Sequence, residues 1–266
     1  MSQQTVLITG VSSGIGEATA RTLAKAGYRV FGGARTPEKL SPLPGVEIIK
    51  LDVRDEEQVV AGVKQILETT GRIDIVINNA GVSLVGPIEA TSTREAQALF
   101  ETNVFGVLNV VRAVLPSMRS QRAGLIVNLS SVLGFLPAPF MGLYASSKHA
   151  LEGLSESLDH EVREHGVRVV LVEPSFTNTK LDTNALRTAN EIDIYRPALS
   201  RSIAAVQRQV NAAPPPEAVA EEILKMLRGK HRLRRPADRR ARLLTVLRRF
   251  APAGKVDKAL RGAFGL

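Results

Sequence analysis

Short apolar runs alternate with longer amphipathic stretches over the first two thirds of the chain. The runs fall at Val6–Ile8, Arg29–Phe31, Val46–Leu51, Ile73–Ile77, Leu125–Leu129 and Val167–Val172. Several are apolar on successive residues, as expected of central parallel strands covered on both faces. Between them the pattern is helical over Glu17–Ala26, Glu56–Glu68, Ala96–Ser120 and Leu143–His165. Strands alternating with helices predict an α/β fold, a doubly wound parallel β-sheet with right-handed crossovers. Gly27 ends the first helical pattern, and Gly71, Gly124 and Gly166 stand just before strands, where helix C-caps belong.

After Pro174 the rhythm changes. Residues 176–201 are polar and irregular, and Ser202–Val210 returns to a helical pattern. Pro214-Pro215-Pro216 breaks it and starts an amphipathic helix over Glu217–Leu227. His231–Pro236 reads as a short seventh strand. Beyond it, Leu243, Leu244, Val246, Leu247 and Phe250 form an apolar stripe among Arg239, Arg240, Arg242, Arg248 and Arg249. With no Pro/Ser-rich linker before the third quarter, the chain reads as one domain over residues 1–237. Residues 238–266 form a basic amphipathic C-terminal extension.

Composition changes this picture little. The 266 residues are 44% hydrophobic, enough for a globular core. There is no cysteine, so no disulfide framework and no thiolate metal site. The four histidines lack ligand spacing, so no metal is assigned. Met1-Ser2-Gln3-Gln4 leads at once into the first strand, and no apolar run approaches a membrane span. Together these predict a cytoplasmic protein.

Charge is uneven. Residues 228–266 hold thirteen Lys/Arg and two Asp/Glu, whereas residues 1–227 hold 22 basic and 24 acidic residues. The net charge of +9 therefore describes the tail. Basic charge confined to one segment, with 4% aromatics, argues against nucleic-acid binding.

Chemistry enters at two places. The strand Thr5–Thr9 runs into Gly10-Val11-Ser12-Ser13-Gly14-Ile15-Gly16 and then into a helix. That is the setting of a dinucleotide-binding turn. Gly10 would make the turn, Gly14 would admit a pyrophosphate to backbone N–H groups, and Gly16 would allow close helix packing. The helix N-terminus adds partial positive charge. Further on, Tyr144 and Lys148 share a helix face at i, i+4. A phenol has a pKa near 10, and a cation held beside it favours the phenolate. Ser131, thirteen residues earlier, could share a substrate oxygen with Tyr144. Taken alone, Tyr-x-x-x-Lys is usually a solvated surface pair.

Together these segments make the chain similar to the short-chain dehydrogenase/reductase family. The resemblance rests on Thr9 to Gly16, Asn78-Asn79-Ala80-Gly81, Thr102-Asn103-Val104-Phe105-Gly106, Ser131 at the end of Leu125–Ser131, and Tyr144 with Lys148. It covers roughly the first 180 residues, and the match is in the family's order and spacing. It resembles members that act on steroids, retinoids and other lipophilic alcohols or ketones.

The resemblance implies a Rossmann-type fold and hydride transfer between a nicotinamide and a carbonyl or secondary alcohol. It implies a catalytic set of Asn103, Ser131, Tyr144 and Lys148, with Asn103 holding a water that relays protons from Lys148. Tyr144 and Lys148 would also meet the cofactor, beside Gly10, Ser12, Ser13, Gly14, Ile15 and Gly16. The matching Asp52-Val53 would meet the adenine, and Asn79, Ala80 and Gly81 would wall the ribose. Asp52 also reads as a helix cap, for which Asp55 is better placed. Pro174 would lie under the nicotinamide, followed by Ser175 where the family has glycine, and Thr179 would contact the carboxamide or phosphates.

No acidic residue lies between Arg29 and Pro37, and Arg35 follows Ala34 where NAD-binding members carry an acid. An arginine fork suits the 2′-phosphate of NADP, so NADP is expected over NAD. Arg35 as an ordinary solvated arginine is the plainer alternative. The family is commonly dimeric or tetrameric, so a homodimer or homotetramer is expected. A catalytically silent NAD(P)-binding regulator is the rival reading, and four filled catalytic positions argue against it.

Phe135, Leu136, Phe140 and Met141 are expected on one pocket wall. Phe176, Leu181, Leu186, Ile192, Ile194 and Tyr195 are expected on the other. Some of these would instead be core contacts. The tail stripe is expected to pack on its own subunit beside the pocket, with a subunit interface or an anionic membrane surface as alternatives.

Overall fold

The computed structural model describes residues 3–183 and 185–266. Seven parallel strands form one sheet: β1 (Thr5–Thr9), β2 (Arg29–Ala34), β3 (Val46–Lys50), β4 (Ile75–Asn78), β6 (Gly124–Leu129), β7 (Val167–Glu173) and β9 (Arg234–Pro236). Their order is β3-β2-β1-β4-β6-β7-β9. The short strands β5 (Leu84–Val85) and β8 (Leu186–Arg187) pair apart from it. Leu7, Ile8, Val76 and Ile77 are fully buried, which explains why these strands carry no polar alternation. The strand order reverses beside β1 and β4, the position at which doubly wound sheets bind ligands.

Helices cover both faces: α1 (Gly14–Lys25), α2 (Glu56–Thr70), α3 (Thr93–Phe100), α4 (Gly106–Gln121) and α5 (Gly142–Val162). Asp55 caps α2 by accepting from the Gln58 N–H at 3.1 Å. Ser92 and Glu95 form a capping box at the start of α3. The single helix expected over Ala96–Ser120 starts earlier and passes through a π turn at Glu101–Phe105. By length and composition Thr93–Gln121 could cross a membrane. Here Val107, Val110, Val111, Val114 and Met118 are buried in the core. Gly71 and Gly166 are left-handed caps, as expected. Gly124 is not: it opens β6, and Arg122 (φ 48°) takes the left-handed position.

The second half adds α6 (Lys180–Thr183), α7 (Arg196–Asn211), α8 (Pro216–Leu227), α9 (Arg239–Phe250) and α10 (Ala253–Ala263). α8 packs beside α1. Leu260 and Phe264, at the end of α10, join the apolar cluster of Tyr144, Met141, Val206 and Val210.

One buried carboxylate fixes α5 to the sheet. Asp159 is 1% exposed, bonds Arg163 at 2.8 Å and Arg168 at 3.0 Å, and accepts from the Val169 N–H at 2.9 Å. Burial alone would raise its pKa; Arg168, the Val169 N–H and Arg163 outweigh burial and hold it at about 2. Its folded pKa lies below the ordinary value of 3.8, so its contribution is present above pH 4 and lost as pH falls towards 2. Asp159→Ala leaves the buried Val169 N–H without this acceptor and releases two half-exposed arginines, and should destabilise the protein by about 1–3 kcal/mol. Chemical denaturation at neutral pH checks this, and an unchanged midpoint would show the pairs to be idle.

Candidate active site

The glycine loop follows β1. Gly10 (φ +72°) and Gly14 (φ +61°) sit in left-handed conformations that other residues avoid. A Cβ on Gly10 would lie 2.8 Å from Ala80 Cα, so the loop lies directly on the segment after β4. Gly16 lets the first turn of α1 close onto the loop and onto Asn79. The space its side chain would fill holds the Asn79 amide and the Gly10 carbonyl. Asn79 Nδ2 donates to the Thr9 and Gly10 carbonyls at 3.0 and 2.9 Å. Thr9 Oγ1 accepts from the N–H groups of Asn79 and Ala80, each at 3.1 Å. Asn79 is thus committed to shaping the loop, and Thr9 is its partner there. The sequence marked Thr9 only as part of a signature.

Ser12 and Ser13 are exposed on the loop. Ser13 stands at the N-cap of α1 without a side-chain cap bond. The first N–H groups of that helix have no partner within it, and both hydroxyls are exposed on the loop. Thr179 lies across it, 3.4 Å from where a Gly14 Cβ would be.

Tyr144, in the first turn of α5, and Lys148, one turn on, are each 6% exposed. Lys148 Nζ donates to the Leu129 carbonyl at 2.7 Å and lies 5.8 Å from the centre of the Tyr144 ring. Burial pushes the Lys148 ammonium down to about 8, against the pull of Glu152. Asn103 sits in the π turn, fully buried. Its amide donates to the Val82 carbonyl (2.9 Å) and Ser147 Oγ (3.0 Å), and its Oδ1 accepts from the Val82 N–H (2.9 Å). A Cβ on Gly81 would lie 3.4 Å from Asn103 Oδ1 and 4.0 Å from Lys148 Nζ, so the three converge.

Strand alternation separates the two serines. Ser130 Oγ turns to the side of Gly134 and Glu152. Ser131 is partly open, accepts from the Leu133 N–H at 3.1 Å, and lines one cavity with Tyr144, Ile15, Pro174 and Thr179. Met141, Phe176 and Leu181 give that cavity its apolar wall. The other residues expected there go elsewhere. Leu136 is buried, Ile194 is 82% exposed, and Tyr195 bonds Glu89 and stacks edge-on with Phe140.

At the far end, Arg35 is exposed just after β2. Asp52 is gripped by Arg54 at 2.6 and 3.0 Å, and that bond holds its carboxyl below the usual range, with burial opposing. Arg35 adds a weaker pull on Asp52. Val53 is buried: its side chain faces Gly106 and its carbonyl accepts from Asn109 at 3.0 Å. Its side chain belongs to the core and not to the cleft wall.

Sequence reasoning missed a buried acid cluster behind Lys148. Arg234 Nε lies 3.2 Å from Glu152 and 3.7 Å from Glu173, and its Nη2 lies 3.1 Å from Glu156. Burial and then Glu152 push Glu173 up to about 8, against Arg234. Glu173 therefore keeps its proton at neutral pH, and raising the pH from 4.5 through 8 costs stability from this group. The one sequence signal was Glu152, a helical turn after Lys148.

The chain is similar to known proteins. The sequence pattern of the short chain dehydrogenases matches residues 4–190. A 3-ketodihydrosphingosine reductase from Bacteroides thetaiotaomicron is 36% identical over 235 residues, 87% of this chain and 86% of that protein. Two crystal structures share the fold along nearly the whole chain. A short chain dehydrogenase from Burkholderia cenocepacia in complex with NADP is 25% identical, with a TM-score of 0.79 over 97% of this chain and 98% of that one. One from Burkholderia phymatum in complex with NAD is 31% identical, with a TM-score of 0.80 over 92% of each. The chain belongs to the short-chain dehydrogenase/reductase family and is an oxidoreductase.

Proposed function

We propose that this enzyme uses NADP(H) to interconvert a lipophilic ketone and its secondary alcohol. The observation that carries this is the cavity in which Ser131 and Tyr144 meet an apolar wall of Met141, Phe176 and Leu181. A nicotinamide dinucleotide fits the residues present. Gly10 and Gly14 leave room for backbone approach, the start of α1 offers free N–H groups, and Lys148 lies beside Gly81. Bound there, it supplies the hydride.

The chain's own residues handle the proton. Tyr144 gives its hydroxyl proton to the substrate oxygen in reduction and takes one in oxidation. Lys148, held in place by the Leu129 carbonyl, lowers the cost of the phenolate. Ser131 donates to the same substrate oxygen and stabilises charge developing on it. Asn103 ties the segment after β4 to α5. The unused lone pair of its Oδ1, facing Gly81, can hold a relay water. The relative from Bacteroides thetaiotaomicron is named for a lipid ketone, which supports the lipophilic reading.

The cofactor choice rests on Arg35. Asp52, the carboxylate that feels Arg35, is already paired with Arg54, which leaves the Arg35 guanidinium open to a 2′-phosphate. A charge-assisted contact contributes about 1.5–3 kcal/mol. Arg35→Ala should therefore weaken NADPH binding by roughly tenfold to a hundredfold and leave NADH binding nearly unchanged. Fluorescence titration measures both. Equal kcat/KM for the two cofactors in the unaltered enzyme would refute the assignment.

A further inference from the structure

Most of the apolar stripe of the tail does not pack on the body of its own subunit: Leu244 is half-buried, and the other four residues face outward. Helix α9 is anchored through its short and polar residues. Asp238 caps it, accepting from the Ala241 N–H at 2.8 Å, and also accepts from the Ser175 N–H at 2.9 Å. Arg240 bonds Gln209 and lies over the Phe176 ring, and Arg242 reaches Glu222 at 3.5 Å. Only Ala241 is fully buried. Leu243, Val246, Leu247 and Phe250 are 56, 55, 43 and 75% exposed. Their spacing of i, i+3, i+4 and i+7 makes one continuous outward face.

We infer that α9 is a docking surface for an anionic phospholipid membrane. The helix carries five arginines and no acid; Arg240 and Arg242 contact the body, and Arg239, Arg248 and Arg249 are exposed. That is the make-up of a helix lying in a membrane interface, with its apolar side among the acyl chains and its cations at the headgroups. A second copy of this face is a poor occupant, because a two-fold contact would set arginines against arginines. The helix also adjoins the cavity: Ser175 and Phe176, which it holds, line it. Docking would set the cavity beside the bilayer. The inference stands on α9 alone and does not depend on the substrate.

The full-length protein is sedimented with vesicles of phosphatidylcholine and with vesicles containing phosphatidylglycerol. At least tenfold more protein should bind the anionic vesicles. Binding should vanish at about 1 M salt, where the screening length is about 3 Å. It should also fall at least tenfold in the double variant Leu247→Ser, Phe250→Ser and in Arg249→Glu. These side chains are exposed, so unfolding temperatures should not change, and they confirm the variants are folded. No binding of folded protein to anionic vesicles overturns the inference, as does binding that survives the double variant. A fall in oligomer size in the double variant, without vesicle binding by the parent, assigns the face to a second copy instead.

Discussion

Tyr144→Phe is expected to lower kcat by about two to four orders of magnitude and to leave NADPH affinity within about twofold of the parent. The ring of Tyr144 is buried in the cluster with Met141, Leu133 and Ala145, and phenylalanine keeps those contacts. What the variant lacks is the hydroxyl, and proton transfer from a positioned side chain contributes about 10²–10⁴ in rate. Single-turnover kinetics with saturating NADPH give the chemical step, and fluorescence titration gives the affinity. Retention of more than a few per cent of the parent rate would remove Tyr144 from the chemistry. Loss of cofactor binding in step with rate would make its role structural.

Lys148→Ala is expected to damage both steps: turnover by about a hundredfold or more, and cofactor affinity by about tenfold. The cation serves the Tyr144 phenolate and stands beside Gly81 on the cleft. A charge-assisted hydrogen bond to a bound ribose accounts for the second effect. The pH dependence separates this from simple misfolding. Burial brings Lys148 down to about 8, so the parent should lose kcat/KM as pH rises through about 8 and the ammonium is discharged. The residual activity of the variant should lack that limb. Between about 8 and 10.5 the unfolded chain binds this proton more tightly, so the folded protein gains stability there and unfolding cannot explain falling activity. A variant with the parent's pH profile would show that the limb belongs to another group.

Much of the frame was legible in the sequence, because it rests on local signals. Successive apolar residues marked β1, β4 and β7, and the glycines at 10, 14, 71 and 166 stand where positive φ is needed. The i, i+4 spacing alone put Tyr144 and Lys148 on one face. Alternation separated Ser130 from Ser131 once the strand was known. What escaped depends on distant partners. Nothing local distinguishes the π turn that places Asn103 from the helix on either side of it. The carboxyls of Glu152 and Glu173 become a buried cluster only when α5, β7 and β9 are assembled around Arg234. Periodicity showed that α9 has an apolar side but not which way it faces. That was decided by the bonds of Asp238 and Arg240 to residues 63 and 31 positions earlier in the chain.

The central claim is hydride transfer between a nicotinamide and a carbonyl carbon in the cavity of Ser131 and Tyr144. NADPH carrying deuterium at nicotinamide C4 tests it most directly. It would be incubated with a panel of long-chain and cyclic ketones, and the products analysed by mass spectrometry. The account predicts an alcohol with deuterium on its carbinol carbon, formed by the parent enzyme and suppressed at least a hundredfold in Tyr144→Phe. NADPH bound but never consumed with any ketone, or consumed without deuterium reaching carbon, would contradict it.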